Sequence, residues 1–182
     1  MTITIERLNP KKHNRNDFNC GEPEINTFLK RYATQAQKTK TGDTFCAIDS
    51  TNPSTILGYY SISPINADVF QNIKGLPKRP NHCLLIGKLA VDLNFQDQGL
   101  GKFLIHHAFK TAIFGMPSIF CAVIVDLKNT SKQLTSFYSK LGFYELTEKR
   151  WFIPMKEIEK IFRLMSDRPV YNGLIHYNLL QL

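Results

Sequence analysis

The sequence has no apolar run approaching the roughly 20 residues that a membrane-spanning helix requires. Its N-terminus alternates like a strand and lacks the basic and apolar segments of a secretory signal. We therefore expect a cytoplasmic protein with no membrane partner. The five histidines and four cysteines show no metal-ligand spacing, so we expect neither a metal site nor a disulfide framework. The cysteines are Cys20, Cys46, Cys83 and Cys121.

The composition is that of a globular protein with an excess of positive charge. Of the 182 residues, 43% are apolar and 12% are aromatic, which is sufficient for one domain with a real core. The net charge of +8 indicates an anionic partner, although the same charge could serve solubility alone. Much of it lies between Lys74 and Lys110, around a glycine-containing segment.

Hydrophobic periodicity predicts a mixed α/β chain. Glu22 and Pro23 open the first helix, and turn chemistry at residues 52–54 predicts a hairpin over residues 44–63. The predicted strands are residues 2–8, 44–48, 56–63, 83–91, 119–125 and 151–153. The predicted helices are residues 22–39, a helix from residue 100, residues 134–141 and residues 156–165. Residues 64–82 are expected to be irregular, and residues 174–182 a strand or docked tail.

A buried strand ending at Val91 leads into the segment Gln-Asp-Gln-Gly-Leu-Gly-Lys at residues 96–102. Helix N-termini carry unpaired N–H groups and a partial positive charge, and glycines let the backbone approach an anion closely. The segment therefore predicts a diphosphate cradle, to which Lys102 adds a full charge. It is not a nucleotide P-loop, because the first glycine is missing and Phe103 follows the lysine where serine or threonine is required. It is not G-x-G-x-x-G either, because Leu104 stands where the third glycine would be. Taken alone, an ordinary glycine-containing helix start remains the alternative.

Residues 96–102 resemble the signature [QR]-x-x-G-x-[GA] of the GNAT acetyltransferase superfamily. Further motifs, in the same order along the chain, are similar to those of GNAT toxins from bacterial toxin–antitoxin pairs. They are Phe-Asn-Cys-Gly at residues 18–21, Gly-Tyr-Tyr at 58–60, Leu-Ala-Val-Asp at 89–92 and Phe-Tyr-x-x-x-Gly-Phe at 137–143. The order of the five motifs carries the resemblance more than any single one.

The resemblance implies the GNAT acyl-CoA N-acyltransferase fold of the α+β class. This fold has a central, mostly antiparallel twisted sheet, flanked by helices, with a splay between its fourth and fifth strands. Residues 1–154 would form the acetyltransferase domain. Residues 155–182 extend beyond the usual end of the toxins, and we expect them to pack on the same domain or at a dimer interface.

The resemblance also implies acetyl-CoA as cofactor. Its pantetheine arm would pair with the backbone at the end of the fourth strand, where the Val91 N–H would polarise the thioester carbonyl. Backbone amides of the glycine turn would bind the diphosphate, and Asn129 stands where many relatives place a cofactor-contacting asparagine. The predicted cofactor-binding residues are Leu89, Ala90, Val91, Gln96, Gln98, Gly99, Leu100, Gly101, Lys102 and Asn129.

Tyr138 is the predicted catalytic residue, because it matches the catalytic tyrosine of the family's Phe-Tyr-x-x-x-Gly-Phe motif. A phenol has an ordinary pKa near 10, so it stays protonated at neutral pH and can donate to the departing CoA thiolate. Spacing alone would make it a core residue on an apolar helix face. Asp92 and Glu22 are candidate bases, although turn or capping roles explain both. A base is dispensable if the weakly basic α-amine of an aminoacyl ester attacks directly.

The toxin relatives acetylate the α-amino group of aminoacyl-tRNA and thereby block translation, and the resemblance implies the same substrate here. Lys and Arg contacts to phosphates would supply affinity. The predicted RNA-binding residues are Arg31, Lys38, Lys40, Lys78, Arg79 and Lys88, the last replacing the arginine usual in the toxins. Tyr59 and Tyr60 are candidates for stacking on a base, but strand alternation favours one buried and one exposed ring.

The resemblance further implies two protein partners, a ribbon-helix-helix antitoxin and a second copy of the chain in a homodimer. Two other functions remain open from the sequence. The chain could be a GNAT enzyme that acetylates a small-molecule amine or a protein N-terminus. It could also be a binding module that keeps the fold without activity.

Overall fold

The computed structural model of the protein describes residues 2–66, 82–115 and 120–166. The predicted RNA-binding residues Lys78 and Arg79, and the predicted tail at residues 174–182, lie outside these ranges. Within them, each helix is too short or too polar to cross a bilayer.

Strands and helices both occur throughout the described ranges, as the sequence predicts. The strands are β1 (Ile3–Arg7), β2 (Asp43–Asp49), β3 (Asn52–Asn66), β4 (His82–Val91), β5 (Ala122–Asp126), β6 (Tyr144–Glu145) and β7 (Arg150–Pro154). The α-helices are α1 (Pro23–Thr27), α2 (Ala33–Lys38), α3 (Leu100–Phe114), α4 (Lys132–Lys140) and α5 (Met155–Ser166). A π-helical turn (Phe28–Tyr32) and a 3-10 turn (Leu93–Phe95) complete the set.

The chain divides into two compact units, residues 1–65 with 84–108 and residues 66–83 with 109–182. Strand order is β1-β2-β3-β4 in the first unit and β5-β7-β6 in the second. The pairs β1–β2, β2–β3, β5–β7 and β6–β7 are antiparallel, in agreement with a mostly antiparallel sheet. The two-residue β6 has no counterpart among the predicted strands, because so short a strand leaves no periodic pattern.

The predicted hairpin of β2 and β3 is confirmed, but its turn is two residues earlier than expected. Asn52 already pairs with Asp49, so residues 52–54 belong to β3 and the turn is Ser50–Thr51. The Asp49 carboxylate accepts a hydrogen bond from Thr51 N at 3.0 Å, and this bond lowers the pKa of Asp49. An aspartate that bonds its own backbone two residues ahead makes a tight turn without help from proline.

The first predicted helix, over residues 22–39, is interrupted by the π-helical turn between α1 and α2. The Arg15 guanidinium donates to Lys30 O at 3.1 Å and to Thr34 Oγ1 at 3.0 Å across this turn. A wider turn displaces the regular i→i−4 partners, and an inserted side chain satisfies the carbonyl that is left over. Apolar spacing cannot reveal this, because the inserted arginine comes from outside the helix.

Tyr59 and Tyr60 on β3 are both fully buried, so the expectation of one exposed ring is wrong and neither is available to a base. Tyr59 packs edge-on against Phe18 at 5.3 Å, and its hydroxyl donates to Ile25 O at 2.7 Å. Tyr60 stacks on Phe45 at 5.1 Å, with its hydroxyl 2.7 Å from His107 Nδ1. The two neighbours point to opposite faces of the strand, and other elements of the first unit cover both faces.

The second unit is built on β5 and β7. Strand β5 begins at Ala122, and just before it Cys121 N donates to His82 O at 2.9 Å while Cys121 O accepts from Met155 N at 2.9 Å. Helix α5 buries Ile158 completely, and its Phe162 ring lies edge-on to Phe114 at 6.0 Å. The helical part of the predicted C-terminal extension thus packs within this unit, while the domain boundary at residue 154 stays a prediction.

We expect the Tyr59→Phe variant to lower the free energy of unfolding by about 1 kcal/mol, because the buried hydroxyl bond to the Ile25 carbonyl is lost. Urea unfolding followed by circular dichroism measures the change. Tyr144→Phe is the matched control, since Tyr144 is 53% exposed. Equal destabilisation by the two variants would contradict the assigned role of the hydroxyl.

Candidate functional site

The glycine turn connects the 3-10 turn after β4 to helix α3 within the first unit. Asp97 and Gly99 adopt φ angles of +58° and +79°, whereas Gln98 between them has a negative φ. Such alternation directs successive backbone amides to one side, an arrangement that can form a concavity suited to an anion. A non-glycine residue in the left-handed region is uncommon, so Asp97 marks the turn as a specialised one.

The amides at the start of α3 are available to a ligand. The first hydrogen bond across the start of the helix runs from Phe103 N to Gly99 O at 3.2 Å. The amides of residues 100–102 precede this bond and have no role in the helical ladder. Burial, and then the nearby Lys102 ammonium, lower the pKa of His106, so this histidine stays neutral. Amides, helix dipole and lysine fit the diphosphate of CoA.

Asp92 holds the chain immediately after β4. Its carboxylate, in a residue only 6% exposed, accepts from Asn94 N at 3.0 Å and from Asn94 Nδ2 at 2.9 Å through Oδ1, and from Asn19 N at 2.9 Å through Oδ2. The Asp92 amide donates to Leu57 O at 2.9 Å. The carboxylate therefore caps the 3-10 turn, which favours the capping role of Asp92 over that of a base. The other candidate base, Glu22, precedes α1 and makes no side-chain cap bond.

Gln96, the glutamine of the signature, connects two segments of the chain by hydrogen bonds. Gln96 Nε2 donates to Val91 O at 3.0 Å and to Cys20 O at 3.3 Å, so it links the end of β4 to the N-terminal segment. Leu89 and Val91 are half-buried and Ala90 is buried at this strand end. The Gln98 side chain donates to Asn94 O at 3.3 Å. The direct cofactor contacts of these residues stay predictions.

Tyr138 lies on α4 in the second unit and is 6% exposed. Its ring packs edge-on against Phe137 at 5.0 Å and Phe143 at 5.4 Å. Burial raises the pKa of Tyr138, so the phenol keeps its proton throughout the physiological range. Gly142, with a φ of +88°, ends the helix and lets Phe143 N bond Tyr138 O at 3.1 Å. The glycine and phenylalanine of the motif thus build the surroundings of the tyrosine.

Asn129 precedes α4 and is exposed. Its Oδ1 accepts from Ser131 N at 3.1 Å, and Ser131 Oγ in turn accepts from Leu134 N at 3.3 Å as the cap of the helix. The observed role of Asn129 is therefore to shape the entry into α4. Its predicted contact with the cofactor is untested.

The predicted RNA-binding residues within the described ranges all belong to the first unit. Arg31 in the π-helical turn, Lys38 at the end of α2 and Lys40 beyond it are exposed, and Lys88 on β4 is half-buried. Lys40 adopts a φ of +57°. Three exposed cations along one helical segment and its end are suited to a phosphate backbone.

Two of the four cysteines lie in contact with each other. Cys83 Sγ lies 3.5 Å from Cys121 Sγ, and burial raises the pKa of Cys46 to about 12. Across residues 2–66, 82–115 and 120–166, no three His, Cys, Asp or Glu side chains are grouped to hold a metal ion.

Sequence reasoning missed Asn19 and Asn26 as contributors to this site. Asn19 binds Asp92 through its backbone amide, and Asn26 Nδ2 donates to Asn19 Oδ1 at 2.8 Å. The available signal was the Phe-Asn-Cys-Gly motif, which indicates a special segment but names no partner for it.

Comparison with known proteins connects this geometry to a family and to individual relatives. The acetyltransferase (GNAT) domain family matches residues 41–145. This range includes the glycine turn and Tyr138, so the two features found here in separate units belong to one family pattern.

The chain is similar to toxins of toxin–antitoxin systems. The probable toxin TacT of Sinorhizobium fredii (strain NBRC 101917 / NGR234) is 24% identical over 173 residues, covering 86% of this chain and 93% of the relative. A mutant of the toxin AtaT bound to the C-terminus of the antitoxin AtaR and acetyl-CoA is 25% identical, with a TM-score of 0.72 over 88% of this chain and 98% of that one. AtaT complexed with acetyl-methionyl-tRNAfMet is also 25% identical, with a TM-score of 0.74 over 88% and 99%. These matches confirm the predicted fold class.

We expect Gly101→Glu to weaken CoA binding by roughly 100-fold or more, because a carboxylate among the amides of residues 100–102 repels the diphosphate. Isothermal titration calorimetry with CoA measures the dissociation constant. Lys110→Glu is the matched control, since it adds a carboxylate at an exposed position of the same helix. Normal CoA affinity in Gly101→Glu would place the diphosphate elsewhere.

Proposed function

Because the chain belongs to the GNAT acetyltransferase family, we propose that it moves the acetyl group of acetyl-CoA to the α-amino group of aminoacyl-tRNA. The observation that carries this proposal is the anion-binding turn with unused helix amides after β4. The similarity over most of the chain to AtaT complexed with acetyl-methionyl-tRNAfMet supports the choice of acceptor. The net charge of +8 suits a polyanionic substrate.

The cofactor is held by the backbone of the first unit. The amides of residues 98–102 and the Lys102 ammonium bind the CoA diphosphate, and the backbone of residues 89–91 pairs with the pantetheine arm. Acetyl-CoA supplies the acetyl group as a thioester with a stable leaving thiolate. The Val91 N–H donates to the thioester carbonyl oxygen and stabilises the negative charge that develops there. Gln96 fixes the Val91 peptide through the bond to Val91 O.

Tyr138 serves as the general acid. Its phenol donates the proton to the CoA sulfur as the carbon–sulfur bond breaks, and the raised pKa keeps that proton in place until then. The acceptor α-amine attacks as the neutral nucleophile, and the proton that its nitrogen loses as the amide forms returns the Tyr138 phenolate to the phenol. The proposed step therefore needs positioning but no further base. Asn129, at the entry of α4, completes the proposed set of cofactor-contacting residues.

The RNA-binding face is proposed to lie on the first unit. Arg31, Lys38, Lys40 and Lys88 contact phosphates, together with Lys78 and Arg79. We further propose that the protein works as a translation-blocking toxin in the cytoplasm, as a homodimer. An antitoxin would hold it inactive by covering the basic face, by analogy with AtaT bound to the C-terminus of the antitoxin AtaR.

The direct test is mass spectrometry of charged tRNA after incubation with the protein and acetyl-CoA. The proposal expects an added acetyl group on the aminoacyl-adenosine released by nuclease digestion. Acetylation restricted to polyamines or peptides offered in parallel would overturn the tRNA assignment in favour of a small-molecule or N-terminal acetyltransferase. CoA binding without any turnover would indicate a binding module.

We expect Tyr138→Phe to lower kcat by about 100-fold or more, the usual contribution of a general acid, while the dissociation constant for CoA stays nearly unchanged. Steady-state acetylation assays and calorimetry measure the two effects. Tyr144→Phe, at an exposed tyrosine of the same unit, should keep wild-type kcat. Wild-type turnover in Tyr138→Phe would remove the phenol from the acid role.

We expect Arg31→Ala and Lys38→Ala to weaken tRNA binding at low salt and each to reduce the slope of log affinity against log salt by about 1, because one phosphate contact is lost. Filter binding at several salt concentrations measures this slope. Lys160→Ala is the control, since Lys160 forms an ion pair with Glu157 on α5. A slope unchanged by the first two variants would place the RNA elsewhere.

A further inference from the structure

We propose that Asn26 of α1 is a positioning residue for the acetyl-CoA turn, acting through Asn19, Cys20 and Asp92. The inference rests on the cofactor part of the proposed function and is independent of which amine receives the acetyl group. Asn26 lies 66 positions before Asp92 in the chain, yet a continuous series of hydrogen bonds joins the two residues.

Asn26 fixes the conformation of residues 19–21. Its Oδ1 accepts from Cys20 N at 2.9 Å and from Cys20 Sγ at 3.1 Å, and its Nδ2 donates to Asn19 Oδ1 at 2.8 Å. Asn19 Oδ1 also accepts from Gly21 N at 3.0 Å. Gly21 has a φ of +85°, so the segment is a tight left-handed bend that these side-chain bonds stabilise.

The bend holds the chain between β4 and the glycine turn at three points. Asn19 N donates to Asp92 Oδ2 at 2.9 Å, and Leu93 N donates to Asn19 O at 2.9 Å. Gln96 Nε2 donates to Cys20 O at 3.3 Å while it also binds Val91 O. These bonds set residues 91–96, which separate the proposed pantetheine strand from the proposed diphosphate amides.

The helix that carries Asn26 is itself anchored. The buried Tyr59 hydroxyl on β3 donates to Ile25 O at 2.7 Å, and Asn26 N donates to Glu22 O at 2.9 Å. Asn26 uses both the acceptor and the donor of its amide, a combination that an aspartate cannot supply. A series of hydrogen bonds therefore runs from β3 through α1 and the bend, and it fixes where the glycine turn lies relative to β4.

A positioning role and a purely structural role predict different kinetics. If the bend sets the cofactor turn, Asn26→Ala raises the CoA dissociation constant and the KM for acetyl-CoA, while kcat at saturating acetyl-CoA stays within about twofold of wild type. If Asn26 only supports folding, the variant lowers the active fraction, and kcat falls while KM is unchanged.

The experiment measures CoA affinity by calorimetry and the KM and kcat for acetyl-CoA in Asn26→Ala. We expect the dissociation constant to rise about tenfold, equivalent to 1.4 kcal/mol. Asn16→Ala is the matched control, an exposed asparagine outside the network whose removal should leave affinity unchanged. An unchanged CoA dissociation constant in folded Asn26→Ala overturns the inference.

Asn19→Ala gives a second route to the same question, including the case in which Asn26→Ala fails to fold. It removes the shared acceptor Oδ1 but keeps the backbone bonds to Asp92 and Leu93. For one connected network, the double variant should weaken CoA binding no more than the stronger single variant. Fully additive effects count against the network. Because CoA binding is measured without tRNA, a failure of the proposed acceptor leaves this result interpretable.

Discussion

The site depends on a small set of backbone amides at the start of α3 that the helix itself cannot use. Their orientation requires left-handed conformations at Asp97 and Gly99, of which the first costs roughly 1 kcal/mol for a non-glycine residue. Such a turn persists only if neighbouring bonds determine its shape. The bonds of Asp92 and Gln96 do so from both sides of the 3-10 turn. The N-terminal segment is therefore hydrogen-bonded to the part of the chain that leads into the glycine turn.

In the second unit, apolar side chains surround Tyr138 and keep its phenol protonated. Tyr138 sits between two phenylalanine rings, and the raised pKa follows from this apolar environment. The same burial would be costly for a charged acid or base, because an ionised group loses its hydration there. A neutral acid with a high pKa is thus the chemistry that this environment permits, and a glycine-terminated helix is the local device that builds it.

Local patterns in the sequence predicted β4, α3 and α4 because apolar spacing and capping residues act over a few positions. The same reasoning failed where a distant group decides the outcome. The π-helical turn depends on Arg15, which inserts from outside the helix. The exposure of Tyr59 and Tyr60 depends on what covers each face of β3, and the strand's own alternation carries no information about that.

The sequence by itself determined the family and predicted the glycine turn and Tyr138 as site residues, because glycines and motif spacing specify backbone conformation locally. Only the tertiary structure decided that Asn26, Asn19 and Asp92 form one network. The spacing of polar residues along the sequence does not indicate which group each one will bond. The hydrogen bond between Asn19 and Asp92 spans 73 positions, so it forms only once the fold has brought the two groups to 2.9 Å.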